Sequence, residues 1–387
     1  KSESLRAIRA MISLASTEPE FEVAGEHLDH DPYLFNMHNG TVDLRTGSIH
    51  DHDRTDFITK ISPVEYDPRA SCPIWDDFIG FAFHNNKEVI QFFYRYFGYC
   101  LTGLTTEQVL LFMDGSGKNG KSTAFGALMH IMGDYAIQAP PGLLLVKGTD
   151  SHPTEQTDLE GTRFVACAEV DKGKRFNEAT LKQLTGSDPI RARKMRQDYY
   201  QFDATHKFSI IANYKPIIKG NDEGIWRRIL RLPWSRTVSE EQRDRDLPDK
   251  LLKEASGIFN RILYGCLEWQ RIGLVPPTIV IAATREYRGE MDSLLEFFED
   301  CCVGSESAVV SKKRLYDAYC GWIENLNERV SSYKLFNRQI SERGYATKFT
   351  RVDGTVSRCW EGLAVVRRLV HQPTMPSLGE WNELHDQ

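Results

Sequence analysis

The chain has 387 residues, which is enough for about two to three domains with buried cores. It holds 48 Lys and Arg against 54 Asp and Glu, so its net charge of −6 excludes a basic coat over the whole surface. Any contact with nucleic acid must therefore come from a local basic patch. Hydrophobic residues make up 41% and charged residues 26%, a composition that excludes a mostly disordered chain.

The eight cysteines and the hydropathy pattern indicate the compartment. No pair of cysteines has the C-x-x-C spacing of a zinc ribbon, and all lie in apolar stretches, as is typical of a reduced intracellular protein. The sequence has no apolar run of 18 residues and no signal peptide, so we expect no membrane partner. Because the chain starts at Lys1, we expect further sequence upstream.

The first hundred residues predict a helix, a small β-meander and a second helical region. Apolar residues recur at helical spacing to about residue 30. Short apolar runs from Tyr33 to Ile49 then alternate with turns, of which Asn39-Gly40 is the strongest signal. Helical spacing returns from Trp75 to about Gly103, where we expect the many aromatic residues to pack in the core.

Three apolar runs, 109–113, 164–168 and 208–212, predict strands that are buried on both faces. Their alternation with helical segments predicts an α/β fold with a ligand site at the carboxyl ends of the strands. Further helices are expected over 249–272, and Pro276-Pro277 marks a break.

The last hundred residues favour a winged-helix module. Helices are expected at 294–302, 312–324 and 333–343, followed by a strand pair at 346–352 and 357–366. Asp353-Gly354 is the turn of that pair, and the tail after Val370 is expected to fray.

A complete phosphate-loop pattern, G-x-x-x-x-G-K-[ST], occupies residues 115–122. Gly115 and Gly120 allow the backbone N–H groups to face phosphate oxygens, and Lys121 reaches the β and γ phosphates of ATP. Ser122 supplies a hydroxyl ligand for Mg²⁺, and the helix over 122–132 adds its positive N-terminus. The loop also contains Ser116, Gly117, Lys118 and Asn119.

Two carboxylates and an amide follow the predicted strands. Glu169 and Asp171 come after the strand 164–168, where a carboxylate would hold the Mg²⁺ shell and polarise a water; Glu169 is the better candidate because it follows the strand directly. Asn213 ends the third strand and would orient a water near the γ phosphate.

Arg227 and Arg228 lie in an apolar stretch, where each charge is costly unless it meets an anion. One would reach the γ phosphate of a neighbouring subunit as an arginine finger, or form a structural salt bridge with Asp222 or Glu223. The sequence leaves both interpretations open.

A local basic patch is present at Arg191, Arg193, Lys194 and Arg196. It is typical of cationic loops that follow a phosphate backbone, although a solvated charged loop is the alternative. Tyr199, Tyr200 and Phe202 follow and would stack on bases or pack in the core.

These elements together resemble superfamily 3 DNA helicases of the primase-helicase branch found in phages, plasmids and poxviruses. The motifs that carry the resemblance are Asn39-Gly40 with 43–47 (NG…DLRTG), 96–103 (GYxLTG), Gly117 to Thr123 (GxNGKST), 182–189 (KxLTGGDP), 212–216 (TNHKP) and 226–228 (WRR). Ser187 replaces a glycine, Tyr214 replaces the usual His, and Glu169-Val170-Asp171 is not a plain acidic doublet.

The resemblance implies a homo-hexamer of AAA+-like ATPase domains that binds ATP and Mg²⁺ between subunits and moves 3′→5′ on single-stranded and forked DNA. It implies that residues 191–198 form a hairpin in the central channel and that Arg227 or Arg228 acts in trans. It also implies an α+β collar domain at 1–103, the ATPase at 104–284, a winged-helix-like domain at 285–370, a flexible tail at 371–387, an upstream primase or primase-polymerase domain and the cytoplasm of a bacterial host. Two alternatives stay open: a P-loop switch ATPase without translocation, and an ATP-dependent origin-binding initiator.

Overall fold

The structure, a computed structural model, covers most of the chain. It describes residues 4–18, 27–115, 117–140, 142–146, 153–168, 171–220, 223–239, 241, 243–291, 293–325, 330–352 and 355–366. Contacts divide the chain into two units, residues 1–288 and 289–387. The domain boundaries expected at 103, 284 and 370 stay predictions.

The N-terminal helix α1, Leu5–Ala15, is shorter than expected. It begins at Ser4, whose hydroxyl accepts a hydrogen bond from the Ala7 amide at 3.3 Å. It stops because the Thr17 hydroxyl bonds back to the Leu14 carbonyl and because Pro19, two residues on, lacks the amide hydrogen that would continue a helix. The expected helix to residue 30 is therefore wrong, since residues 28 and 29 form a turn.

The β-meander is confirmed. Its strands are β1 Leu34–Met37, β2 Gly40–Asp43 and β3 Ser48–His50, paired antiparallel in that order. The Asn39-Gly40 signal lies at the β1–β2 turn, where Gly40 has φ +152° and a Cβ atom would stand 2.5 Å from the His50 carbonyl oxygen. A glycine is therefore required there.

Two helices occupy the region expected to be helical from Trp75 to Gly103. They are α2 Pro73–Ala82 and α3 Lys87–Leu101. The break falls at His84 and Asn85, which both have positive φ, and Asn86 then caps α3 by accepting from the Val89 amide at 3.2 Å. The aromatic side chains of α3 are buried, so the expectation of core packing is confirmed.

The remaining strands of the first unit form a sheet and a hairpin. These strands are β4 Leu110–Asp114, β5 Ala136–Gln138, β6 Phe164–Ala168, β7 Ile190–Ala192, β8 Tyr200–Phe202, β9 Lys207–Ala212 and β10 Ile229–Pro233. Five of them make a parallel sheet in the order β10-β4-β9-β6-β5, and β7 pairs antiparallel with β8. The expected α/β fold with a central parallel sheet is thus confirmed, and all three expected strands lie in it.

Helices cover this sheet and extend to the second unit. They are α4 Lys121–Met132, α5 Glu178–Leu184, α6 Glu223–Trp226, α7 Leu247–Lys253, α8 Ala255–Ile272 and α9 Thr278–Met291. Short 3-10 turns lie at Arg54–Asp56, Gly133–Tyr135 and Pro153–Leu159. Helix α9 directly follows Pro276-Pro277 and was not predicted. No helix in the described ranges is long and apolar enough to cross a bilayer.

In its described residues, the second unit contains three helices and a three-stranded antiparallel sheet. Its elements are α10 Ser293–Cys301, β11 Cys302–Ser311, α11 Lys312–Asn325, α12 Tyr333–Glu342, β12 Thr347–Val352 and β13 Thr355–Val365. The sheet order is β11-β13-β12, and the core includes Phe297, Phe336 and Trp360. The expected helices and strand pair are present, whereas β11 was missed because its polar middle carries a bulge between Gly304 and Val309. Asp353-Gly354 lies outside the described residues.

Candidate nucleotide and nucleic-acid sites

The phosphate loop connects β4 to α4 at the carboxyl edge of the sheet. Gly117, Lys118 and Gly120 have φ of +76°, +49° and +84°, so the backbone reverses its direction within a few residues. Successive amides in such a turn face one concave side, which is the geometry of an anion-binding nest. Ser116 lies outside the described residues.

The end of β10 holds this loop in shape. The Trp234 indole donates to the Asn119 carbonyl at 2.6 Å, and the Asn119 side-chain amide donates to the Trp234 carbonyl at 3.0 Å. A Cβ atom on Gly115 would stand 2.1 Å from the same Trp234 carbonyl, so only glycine fits. Trp234 is buried against Phe83 and its role could not be read from the loop pattern.

Lys121 is directed into the loop. Its ammonium donates to the Gly115 carbonyl at 2.8 Å, and the side chain is buried. Burial lowers the pKa of Lys121, and the nearby Asp114 carboxylate opposes that effect. A bound phosphate would compensate for the hydration that the ammonium loses on burial, so this position fits the expected role of Lys121.

A cleft of about 650 Å³ opens beside the loop, a volume that suits a small ligand. One wall is polar and contains Lys121, Ser122, Thr123 and Asn213, together with the loop residues Gly117, Lys118, Asn119 and Gly120. Gly117 and Asn213 are close, since a Cβ atom on Gly117 would lie 3.9 Å from the Asn213 side-chain oxygen. The structure thus brings Asn213 to the phosphate loop, as the parallel pairing of β4 and β9 requires.

A second part of the lining is mainly apolar and comes from distant parts of the chain. Its apolar members are Ile74, Phe78 and Phe81 of α2, with Val238 and Leu247, and the charged residues Asp77, Arg243 and Asp244 line the cleft beside them. Phe78 lies so close that a Cβ atom on Gly120 would stand 2.6 Å from its ring. Sequence analysis assigned these phenylalanines to the core, because no local pattern links α2 to a loop forty residues later.

A buried ion pair supports the strand that leads into the loop. Arg231 of β10 binds Asp114 through two hydrogen bonds of 2.9 and 3.0 Å and also binds Glu286 of α9. Both partners of the Arg231–Asp114 pair are nearly inaccessible, at 10% and 11% side-chain exposure. No local sequence pattern predicts this pair, because Arg231 and Asp114 are 117 residues apart.

The carboxylates proposed for Mg²⁺ are only partly described. Glu169 lies outside the described residues, directly after β6. Asp171 has an 82% exposed side chain and lies 4.0 Å from the Lys174 ammonium. Among the side chains that the structure describes, no group of three His, Cys, Asp or Glu residues is arranged to hold a metal ion.

Arg227 and Arg228 lie at the other edge of the sheet. The Arg228 carbonyl accepts a hydrogen bond from the amide of Leu110, which is the first residue of β4. The phosphate loop follows the last residue of β4, so a strand length of about 16 Å separates Arg228 from the loop. Arg228 donates to the Gly224 carbonyl at 2.6 Å, while the Arg227 side chain is exposed and contacts no partner among the described residues. Glu223 pairs with Arg288 at 2.9 Å, and Asp222 is not described.

The basic patch forms a β-hairpin. Arg191 lies on β7, and Arg193, Lys194 and Arg196 lie in the loop that leads to β8. Tyr199 is 46% exposed, and the guanidinium carbons of Arg191 and Arg193 lie 4.5 and 5.0 Å from its ring centroid. Phe202 is buried. The hairpin thus has exposed cations and the exposed ring of Tyr199, whereas Phe202 packs in the core.

Comparisons with known families agree with this arrangement. Residues 1–84 match the "D5 N terminal like" family, residues 113–228 match a family of unknown function (DUF5906), and residues 289–352 match the "Poxvirus D5 protein-like" family. The fold and the loop define a P-loop protein with a five-stranded parallel sheet. The D5-type regions on either side of it make the chain similar to the D5-like primase-helicase family.

Individual relatives support the same family. The chain is 25% identical over 323 residues to the helicase-named protein L207/L206 of Acanthamoeba polyphaga mimivirus, covering 77% of this chain and 34% of the relative. It is 23% identical over 388 residues to the helicase-named protein 022R of Frog virus 3 (isolate Goorha), covering 79% and 40%. The chain therefore spans well under half the length of these curated relatives.

A solved structure shares the fold. The match to the apo structure of the NrS-1 C terminal region covers 93% of this chain and 90% of that chain, with a TM-score of 0.56 and 14% identity. At this identity the likeness concerns the fold alone.

Proposed function

We propose that this protein is an ATP-dependent DNA helicase of superfamily 3 that assembles as a hexameric ring and moves 3′→5′ along single-stranded DNA. The observation that carries the proposal is the position of Arg227 and Arg228 at the opposite sheet edge from the phosphate loop. Neither Arg227 nor Arg228 can reach the phosphate loop of its own subunit, because the length of the sheet lies between them. A nucleotide at the loop would meet them only across an interface between subunits.

The nucleotide is ATP with Mg²⁺, and the cleft supports this assignment. Lys121 and the loop amides would bind the β and γ phosphates, and Ser122 would donate a hydroxyl ligand to Mg²⁺. The apolar wall of Phe78 and Phe81 would contact the base. Asn213 would orient the attacking water, and Glu169 or Asp171 would polarise it.

The strand order supports an AAA+-like motor. The loop strand β4 lies between β10 and β9, so Arg231 and Asn213 flank it, and β6 with its following acidic residues lies one strand further. The β7–β8 hairpin would line the central channel, where Arg191, Arg193, Lys194 and Arg196 would contact the phosphate backbone of single-stranded or forked DNA. The upstream primase, the phage or plasmid source and the bacterial cytoplasm stay predictions.

Strand displacement on two partial duplexes, one with a 3′ tail and one with a 5′ tail, tests the activity. With ATP and Mg²⁺ we expect unwinding from the 3′ tail only, and none with the Lys121→Ala variant. DNA-independent ATP hydrolysis with neither duplex unwound would instead support a switch ATPase without translocation.

Mixing two inactive variants tests the interface. Lys121→Ala lacks the phosphate contact, and Arg227→Ala lacks one candidate finger; an equimolar mixture should regain part of the ATPase rate if the arginine acts in trans. Arg228→Ala, tested in the same way, assigns the finger between the two. No recovery in either mixture, with hexamers present by sedimentation, contradicts the trans assignment.

A further inference from the structure

A second cationic cleft lies in the unit formed by residues 289–387. Its volume is about 490 Å³, and its lining contains Lys312, Lys313, Lys334 and Arg358 but no carboxylate. The sequence from residue 289 to the end holds more acidic than basic residues. Four of the 12 Lys and Arg residues in this part of the sequence therefore line one cleft.

The charges in this cleft are not neutralised from within. None of the four cations forms an ion pair with a carboxylate in the part of the chain that the structure describes. Lys312 lies with its ammonium 3.8 Å from the ring centroid of the buried Trp360. Partial burial, and then the neighbouring Arg358 charge, lower the pKa of Lys312, which shows that the two cations oppose each other. An anion in the cleft would relieve this repulsion.

One side of the cleft is formed by two helix beginnings. Lys312 is the first residue of α11, and Tyr333 is the first residue of α12, which Ser332 caps by accepting from the Leu335 amide at 3.3 Å. Tyr333 is 45% exposed, and Lys334 beside it is exposed. Both helices exceed two turns, so their positive ends add to the side-chain charges.

The other side is the β12–β13 ribbon. Arg358 is directly opposite Phe349, and Val356 is opposite Arg351, so these four residues share one face of the ribbon. Trp360, two residues after Arg358, lies on that same face and packs in the core. Farther from the core, Phe349 and Val356 on this face of the ribbon are 74% and 64% exposed. The ribbon therefore extends past the helices as an exposed, basic and apolar projection.

We propose that this cleft binds the phosphate backbone of duplex DNA, as a contact separate from the β7–β8 hairpin. A helix beginning and a two-stranded ribbon are the two elements that the major groove admits, and here they stand on either side of a row of cations. Because the cations face phosphates rather than base edges, binding depends on salt and not on sequence.

The test measures the affinity of the full chain for a blunt duplex, without ATP, by fluorescence anisotropy over a salt series. The variant Lys313→Gln/Lys334→Gln/Arg358→Gln removes three exposed cations, so a folding defect is not expected. We expect at least a tenfold loss of duplex affinity and a decrease of about 2 to 3 in the slope of log K against log salt, at ~0.9 per phosphate. The outcome is independent of helicase activity, since no nucleotide is present.

A matched triple variant of the hairpin, Arg191→Gln/Lys194→Gln/Arg196→Gln, is the control. It should weaken binding to a single strand more than binding to the duplex, whereas the cleft variant should do the reverse. An unchanged duplex affinity and salt slope in the cleft variant overturns the proposal. An equal loss on a single strand and on the duplex overturns the assignment to duplex DNA.

Discussion

Trp234 and Asn119 exchange two hydrogen bonds across the base of the phosphate loop, one from the indole to the Asn119 carbonyl and one from the Asn119 amide to the Trp234 carbonyl. The loop is therefore held by the strand beside β4 and not only by its own glycines. The shape of the nucleotide site depends on a residue 115 positions away in sequence.

Removing the indole donor should loosen this loop. Trp234→Phe keeps the ring in the core but leaves the Asn119 carbonyl without its partner, at an expected cost of about 1 to 3 kcal/mol. We expect weaker ATP binding together with a lower unfolding midpoint, measured by nucleotide titration and urea unfolding. Trp269→Phe, which removes an indole hydrogen bond of 2.7 Å to Glu107, is the control. It should lower stability without weakening ATP binding; equal effects on ATP binding contradict the role given to Trp234.

The apolar wall of the cleft should affect the base of the nucleotide and not its phosphates. Phe81→Ala removes a ring that lines the cleft, so we expect ATP affinity to fall roughly 5- to 30-fold, for about 1 to 2 kcal/mol of lost contact. Inorganic tripolyphosphate, which has no base, should compete with ATP equally well on the parent protein and on the Phe81→Ala variant. A parallel loss of tripolyphosphate affinity would show that Phe81 acts on the loop instead.

Removing one partner of the Arg231–Asp114 pair should destabilise the protein mainly because the other charge then stays buried without a partner. Arg231→Met leaves a buried carboxylate, at an expected cost of about 3 to 5 kcal/mol, and adding Asp114→Asn should recover part of it. The half-exposed pair of Arg261 and Asp76 gives the comparison, because Arg261→Met should cost less than about 1 kcal/mol. Urea unfolding of these proteins and of Asp114→Asn alone measures the differences, and a double variant whose loss of stability equals the sum of the two single losses would contradict the coupling.

His206 should make the protein sensitive to acid. It is buried, its Nε2 atom lies 3.0 Å from the Leu184 carbonyl oxygen, and its Nδ1 atom has no hydrogen-bond partner among the described residues. Burial lowers the pKa of His206 from 6.5 to about 4, so the unfolded chain binds a proton first as the pH falls. Stability should be complete above pH 6.5 and decrease between about pH 6.5 and 4, by roughly 3 kcal/mol in total.

Urea unfolding between pH 7.5 and 4.5 checks this dependence. His206→Gln retains a donor for the Leu184 carbonyl and has no titration, so its slope with pH should be smaller. His27→Gln, at an exposed position, should keep the slope of the parent chain. A slope that His206→Gln leaves unchanged would assign the acid sensitivity to other groups.

Local sequence patterns predicted the elements that are determined by residues close to one another in sequence. The bounds predicted for strand β6 match the observed ones because a five-residue apolar run is typical of an inner strand of a parallel sheet. Strand β10 was missed because Arg231 interrupts its apolar run, and only the Asp114 carboxylate on β4 makes that charge tolerable. The loop pattern identified Lys121 and Ser122, and the parallel sheet placed Asn213 beside them.

The rest of the site depends on contacts between segments far apart in sequence. Phe78 and Phe81 follow the same helical spacing as the core aromatics of α3, so nothing local distinguishes a cleft wall from the interior. Trp234 appears only as one more apolar residue until the chain brings it to Gly115. Such roles are set by tertiary packing, and a single sequence carries no signal for them.

The position of α2 determines where the nucleotide-binding module begins. Phe78 lies against Gly120, although α2 belongs to the stretch that matches a separate N-terminal family. Cutting the chain just before β4 would remove the α2 residues that line the cleft and expose the side of Trp234 that packs against Phe78 and Phe83. Exchange of the N-terminal region between relatives would therefore change nucleotide binding as well as the region's own contacts.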